Sequence, residues 1–436
     1  MIKVLGMKNK MHYSIFVFFI LIINFSAIPI DNILAYEKFN TGGDILYVGC
    51  EDNGCYPTIQ SAIIAAKSGD TIFVFDDSSP YNENIVVDKS LNILGENKET
   101  TIIDGRNNGN VVYISADEVN ISNFTIRSSG NDAGITINSD NNFIINNYFK
   151  NDYYGLRISS AHFNTIQENK FENCEYAIYS FDSNNNEILE NIIIENTIGI
   201  KLMQNSNENN FYRNIVSLCD EAVSIDYSSY NNIYWNALND CIYGIYLSDS
   251  SYNKIYNKNT IIDNKYGIFL YKSDYCSIYD DNIISYNKKY GVYLFDSTKA
   301  NIHENKIDNN EIGIFLNSSS GNNIYWNDVE FNIIGLFLRY SSMNNLYLNN
   351  IENNFQFGIN MLFCVNSKIS YNNFISNYVS AYFKQSFINF NSWNKNYWDD
   401  WGGNGFHRIY GDIDGIILIE NWFMFDMRPV EIPYSI

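Results

Sequence analysis

A chain of 436 residues with 46% hydrophobic and only 18% charged residues can bury a large core, and that composition excludes intrinsic disorder. Its formal charge of −21 argues against nucleic acid and anionic lipid as partners, and gives no electrostatic grip on polyanionic glycans. Uncharged glycans, cations and other protein surfaces stay open.

Residues 1–35 read as a secretory signal. Lys3, Lys8 and Lys10 precede an apolar run from Ser14 to Ile30, and Ala27 or Ala35 marks a cleavage point. An uncleaved anchor is the rival reading, weakened by Asn24, Ser26 and Pro29. Cleavage removes three Lys and Asp31, taking the charge from −21 to −23, and no later segment is long and apolar enough to leave a transmembrane anchor. The expected location is secreted, or on the extracytoplasmic cell surface.

Residues 36–70 form an N-terminal region with a capping helix. Cys50 and Cys55 flank a short Gly-containing loop and are expected to pair in an oxidising compartment. Pro57–Ala66 has apolar residues at 59, 62, 63 and 66 and stops before Gly69, the pattern of a short helix. Its expected role is to cover the first coil of the repeat region, which would otherwise present an open edge.

Residues 71–392 carry a repeat. After less regular copies at Ile72–Phe75, Ile85–Val87, Leu91–Leu94 and Val111–Ile114, one phrase returns as Gly244-Ile-Tyr-Leu247, Gly267-Ile-Phe-Leu270, Gly291-Val-Tyr-Leu294, Gly313-Ile-Phe-Leu316 and Gly335-Leu-Phe-Leu338. Looser copies begin at Gly134, Gly155, Ala177, Gly199, Ala222, Gly358 and Ser380, in steps of 21 to 24 residues. A second phrase, Asn231-Asn-Ile-Tyr-Trp-Asn236, recurs at Asn322 and Asn344. Self-similarity at this period marks a solenoid, and alternating apolar residues rich in Ile, Tyr and Phe argue for strands over a strand-and-helix repeat. The expected fold is all-β, a right-handed parallel β-helix of about fourteen coils at one strand spacing per coil. Gly or Ala opening each strand fits a bend that needs a small or φ-permissive residue. Asn147, Asn169, Asn191, Asn214, Asn236, Asn305, Asn327 and Asn349 are placed to form a ladder, and Ser228, Ser250, Ser273, Ser297, Ser319 and Ser341 a second column.

Between two inward residues the side chain faces out. That position reads Thr136, Arg157, Tyr179, Lys201, Ser224, Tyr246, Phe269, Tyr293, Phe315, Phe337, Asn360 and Tyr382 along the coils. The second phrase gives another outward row of Tyr212, Tyr234, Tyr256, Tyr279, His303, Tyr325 and Tyr347. Such rows suit the apolar faces of sugar rings or another protein, or else stack on one another and only stabilise the sheet. For catalysis, Asp280 and Glu304 are expected on one position of adjacent coils with His303 beside them, as Glu168 and Glu190 are; solvated turns are the alternative. Cys219 and Cys241 are expected to stack on adjacent coils, bridged or as free core residues.

Residues 393–436 read as a C-terminal capping segment, with Trp393, Trp398, Trp401 and Trp422 covering the last coil. Asp399, Asp400, Asp412 and Asp414 offer hard oxygens near Gly, either a calcium site or an acidic capping loop.

From about residue 55 to 400 these phrases resemble the parallel β-helix repeats of the NosD type, also described as a carbohydrate-binding and sugar-hydrolase domain. The helix resembles that of pectin-active β-helix proteins, and Asn396-Tyr-Trp398 resembles the C-terminal segment of archaeal members. The Asp-rich cluster with a nearby basic residue found in pectate lyase-like members is missing. The family name implies copper, but His162, His303 and His407 lie far apart and Met343, Met361, Met424 and Met427 do not cluster, so copper is not expected. The function expected is glycan binding along the outward aromatic face without catalysis. The alternatives are a polysaccharide hydrolase or lyase, and a scaffold or adhesion protein that binds cell-surface proteins.

Overall fold

Each coil of the repeat folds as three strands joined by turns, as in Phe143–Ile145, Tyr148–Lys150 and Tyr154–Ser159. The computed structural model describes residues 43–50, 54–385, 390–413 and 419–436; the expected signal segment lies outside them. From coil to coil the strands pair in parallel with their equivalents, so that Ile245 meets Ile268, Tyr246 meets Phe269 and Leu247 meets Leu270. One face is a sheet of 14 strands; the other two are joined into 32 strands by the antiparallel hairpin His407–Ile413 and Ile419–Asp426 at the C-terminal end. This is the expected parallel β-helix. Its core is the inward column of Ile, Leu, Val and Phe from all three faces, fully buried at Ile245, Leu247, Ile255 and Ile261.

The turns are held by side-chain amides. From Asn147 through Asn169, Asn191, Asn214, Asn236, Asn259, Asn282, Asn305, Asn327, Asn349 and Asn372 to Asn396, each amide nitrogen donates to the next Asn oxygen at 2.8 to 3.2 Å. The residue before each ladder Asn is left-handed, including Glu190 (φ 57°), Trp235 (φ 56°) and Leu348 (φ 54°). That conformation costs a non-Gly residue roughly 1–2 kcal/mol, which the buried ladder offsets. A second ladder runs from Asn142 to Asn253 and a third from Asn264 to Asn377, while the Ser column passes backbone N–H bonds from coil to coil at 2.9 to 3.1 Å.

The strand-opening glycines answer to space rather than to φ. A Cβ on Gly244 would lie 2.6 Å from the Gly267 carbonyl oxygen and 2.7 Å from the Ile261 methyl, and none of this column has positive φ. Ala177 and Ala222 occupy the column elsewhere, so a methyl is tolerated when the neighbours yield. Gly267→Val is therefore expected to cost about 1–3 kcal/mol by overpacking, and Gly267→Ala less; urea unfolding midpoints compare them.

At the N-terminal end the sheet begins before the helix, since Ile45–Val48 pairs with Thr71–Val74. The helix Ile59–Ala65 buries Ile59, Ala62 and Ile63, and a Thr58–Ser61 capping box starts it. Glu83 accepts from the Ile59 and Gln60 amides at 3.0 Å each, and the Lys89 ammonium donates to the carbonyls of Ile63, Ile64 and Ala66. Charge of each sign thus meets the helix end whose backbone groups it complements. Cys50 and Cys55 are bonded, with Cα atoms 5.7 Å apart. Cys219 and Cys241 lie in contact as buried free thiols rather than a bridge. At the far end Trp393 and Trp398 are buried, Trp398 stacking on Phe374 at 4.2 Å; the Trp422 side chain lies outside the described residues.

Candidate groove on the long-strand face

Side chains three apart on an extended strand point to opposite sides. On the long strands they do not. Tyr243 and Tyr246, separated by the small Gly244, both face out with ring centroids 5.3 Å apart, and Tyr290 and Tyr293 do the same at 4.9 Å. The strand bends at the Gly or Ala, and the hollow of the bend faces outward. Two columns line it: the predicted one from Thr136 to Tyr382, in unbroken register, and one that alternation misses, through Tyr154, Tyr176, Ile198, Glu221, Tyr243, Tyr266, Tyr290, Ile312, Ile334 and Phe357. The signal was available in the aromatic residue that so often precedes the Gly.

The predicted ligand row does come together. Tyr246, Phe269, Tyr293, Phe315 and Phe337 stack at 5.4, 4.6, 4.9 and 4.8 Å, the last three pairs within 11° of parallel. Their faces cover one another, Phe315 being 6% exposed, so edges and phenol hydroxyls face solvent. The second row behaves likewise: Tyr212, Tyr234, Tyr256, Tyr279, His303, Tyr325 and Tyr347 are spaced 4.5 to 5.2 Å apart. Burial, with the charge of Glu187 adding to it, pushes the Tyr212 phenol up to about 12. A third, more exposed stack of Tyr230, Tyr252 and Tyr275 occupies a turn away from the groove.

One coil interrupts the aromatic hollow. On Glu221–Asp226 all three outward positions are polar, Glu221, Ser224 and Asp226, and the preceding coil sets Lys201 among them. The Lys201 ammonium donates to Ser224 Oγ at 2.8 Å and to Asp226 Oδ2 at 2.7 Å, and lies 3.9 Å from Glu221 Oε2. Glu221 Oε2 and Asp226 Oδ1 are buried and accept no hydrogen bond. At the other end of the aromatic stretch Asn360 Oδ1 is in the same condition. Sequence reasoning placed Lys201 and Ser224 on the row but missed both carboxylates.

Of the two carboxylate pairs expected to stack on adjacent coils, Glu168 and Glu190 do, directly after strands in register and each just before a ladder Asn, whereas Asp280 and Glu304 do not. Glu304 lies next to Asp281, whose amide donates to the Glu304 carbonyl at 2.6 Å, while Asp280 is one residue further back; all three are exposed on left-handed turns. His303 is sandwiched between Tyr279 and Tyr325, its Nδ1 3.2 Å from Glu304. Glu168 and Glu190 both meet Gln167.

Metal donors are scattered. Asp399 accepts from the Ser376 amide, Asp400 meets His407 Nε2 at 3.0 Å, Asp412 accepts from the Tyr382 hydroxyl at 2.7 Å, and Asp414 lies outside the described residues. Among the described residues no group of three or more His, Cys, Asp or Glu is placed to hold a metal. Copper would draw on imidazole and sulfur. His162 accepts from the Asn184 amide, His303 is in the ring stack and His407 packs on Trp398, so these imidazoles do not fit a shared copper ion.

No helix among the described residues is long and apolar enough to cross a membrane. Solved structures similar in fold include a DFA-IIIase from Arthrobacter chlorophenolicus A6, at 13% identity over 70% of this chain and 93% of that one with a TM-score of 0.48. The periplasmic alginate epimerase AlgG matches at 14% identity over 65% and 75% of the two chains with a TM-score of 0.40, and the Dettilon tailspike protein at 15% over 69% and 67% with a TM-score of 0.45. No curated protein matches the sequence. The profile of the family described as periplasmic copper-binding protein (NosD) matches in overlapping stretches, 58–202, 96–259, 199–332 and 258–403. Covered in this way over most of its length, and folded as the repeat predicts, the chain belongs to the NosD family.

Proposed function

We propose that this is an extracytoplasmic protein that binds a glycan along the hollow of the long-strand face. The observation that carries the reading is the in-register outward column in which a polar coil with unsatisfied acceptors runs into five coils of aromatic edges and hydroxyls. Sugars present both apolar C–H surface and many hydroxyl donors, which such a lining complements. Binding by ring faces is not what this lining offers, because the faces are occupied by one another. The contacts proposed are to edges, phenols and the polar coil.

On a panel of oligosaccharides, at least one glycan is expected to bind, and Tyr243→Ala with Tyr290→Ala is expected to weaken it about tenfold or more with far-UV circular dichroism unchanged. Tyr230→Ala, outside the groove, should leave it intact. Binding that ignores the groove pair, or that falls equally with Tyr230→Ala, would overturn the proposal.

A second reading, turnover of the bound glycan, is favoured by one observation: Glu221 and Asp226 reach the same ammonium, and glycosidic hydrolysis needs two carboxyl groups across one bond. New reducing ends released by the protein and lost in Glu221→Gln would favour it over binding alone.

A further inference from the structure

The sheet of 14 strands turns the first and third residue of each strand outward, and the surface so formed is banded. Its central strands present Ile192, Ile194, Ile215, Ile262 and Ile283 around the small Ala237, with Ile192 48% and Ile283 42% exposed. On the N-terminal side of this apolar band lie three cations, Arg127, Lys150 and Lys170, against two carboxylates, Asp104 and Glu172. On the C-terminal side one cation, Lys306, faces four carboxylates, Asp308, Asp328, Glu330 and Glu352. One flank is therefore positive in a chain of charge −21, and the other strongly negative. Burial, with the charges of Glu330 and Asp328 adding to it, holds the Glu352 carboxyl above its usual range. Like charges crowd there, and a cation from a partner would relieve them. The chain's own tail closes the C-terminal end of the sheet beyond the band, where Asn373 exchanges hydrogen bonds with the Tyr434 backbone at 2.8 and 2.9 Å.

We propose that a second copy of the chain docks on this sheet as an antiparallel twofold dimer, with the axis along the strand Ala237–Asn239. A twofold interface sets each row against the row equally far beyond the axis. Ile192 then meets Ile283, Lys150 meets Glu330 and Arg127 meets Glu352, while Lys170 and Glu172 pair diagonally with Asp308 and Lys306. A parallel dimer would instead set each flank on its own charge. From Arg127 to Glu352 the surface spans eleven rows, roughly 50 Å by 12–15 Å, or ~600–750 Å² per copy against the ~800 Å² of a standard interface. The groove lies on another face, so the dimer displays two grooves, and the proposal stands whether or not the groove binds a glycan.

The test is sedimentation equilibrium of the secreted protein, which at about 10 μM is expected to give twice the chain mass, with association weaker at high salt. Lys150→Glu and Glu330→Lys should each weaken the dimer about tenfold or more, because each sets like charges together twice across the axis. An equimolar mixture of these two variants should associate as the parent protein does, since every such contact then joins opposite charges again. No rearrangement within one chain gives that rescue. Ile192→Lys and Ile283→Lys, in the apolar band, should each leave monomers, with unchanged far-UV circular dichroism confirming the fold. A monomeric or trimeric parent protein, a dimer that survives both charge reversals, or a mixture that fails to recover overturns the proposal.

Discussion

Asp426→Ala is expected to unravel the C-terminal coils at a cost of about 3–5 kcal/mol, the loss seen when one partner of a buried charged network is removed. The reason lies in the polarity of the Asn ladder. Each rung donates onward to the next oxygen, so the last rung ends in donors with no Asn to receive them. Asp426 supplies acceptors alone. Fully buried, it receives the amides of Lys395, Asn396 and Arg428, the side-chain nitrogen of Asn396 and the indole N–H of Trp398, at 2.9 to 3.2 Å. Because each coil of a solenoid touches only its neighbours, the damage should be local. Hydrogen exchange should show protection lost in the coils after about residue 350 and kept in those before residue 250, with Asp426→Asn milder because it retains one acceptor oxygen. Uniform protection along the whole rod in Asp426→Ala would contradict this.

The second large effect is one of pH. Asp152 occupies a turn position that later coils fill with Cys174, Asn196 and Asn264, where it is buried, takes one bond from the Ser129 amide and leaves Oδ2 without a partner. Burial pushes its carboxyl up to about 8. An acid whose folded pKa lies above its unfolded value binds more protons when folded, so its stabilising effect is complete below about pH 4 and is lost as pH rises towards 8. At about 1.4 kcal/mol per unit the loss is several kcal/mol. Asp152→Asn, the residue other coils use there, should flatten this part of the curve. Thermal melts at pH 4.5 and pH 9 are expected to show the variant gaining on the parent protein only at the higher pH; parallel curves would remove the argument.

Much of the ladder was readable from spacing, and its gaps have a physical cause. Asn259 and Asn282 fall out of a fixed period because the turns before them, at Asn257-Lys258 and Asp280-Asp281, each hold two left-handed residues. The same extra residue sets Asp281, not Asp280, beside Glu304. Asp426 was out of reach altogether, since an antiparallel strand returns it to a rung 30 residues earlier.

The sequence by itself determined the coil, because inward and outward residues alternate at a spacing of 2 along a strand and the copies recur at one phase along the chain. It also determined the unbroken column from Thr136 to Tyr382, since parallel register keeps equivalent residues adjacent. What lines the hollow was decided only by tertiary structure. Alternation turns Glu221 inward when Ser224 points out, and it is the bend at Ala222 that swings Glu221 back to the outer side, within reach of Lys201 from the coil before. Whether the rings offer faces or edges was also beyond the sequence, because it depends on how closely neighbouring coils stack.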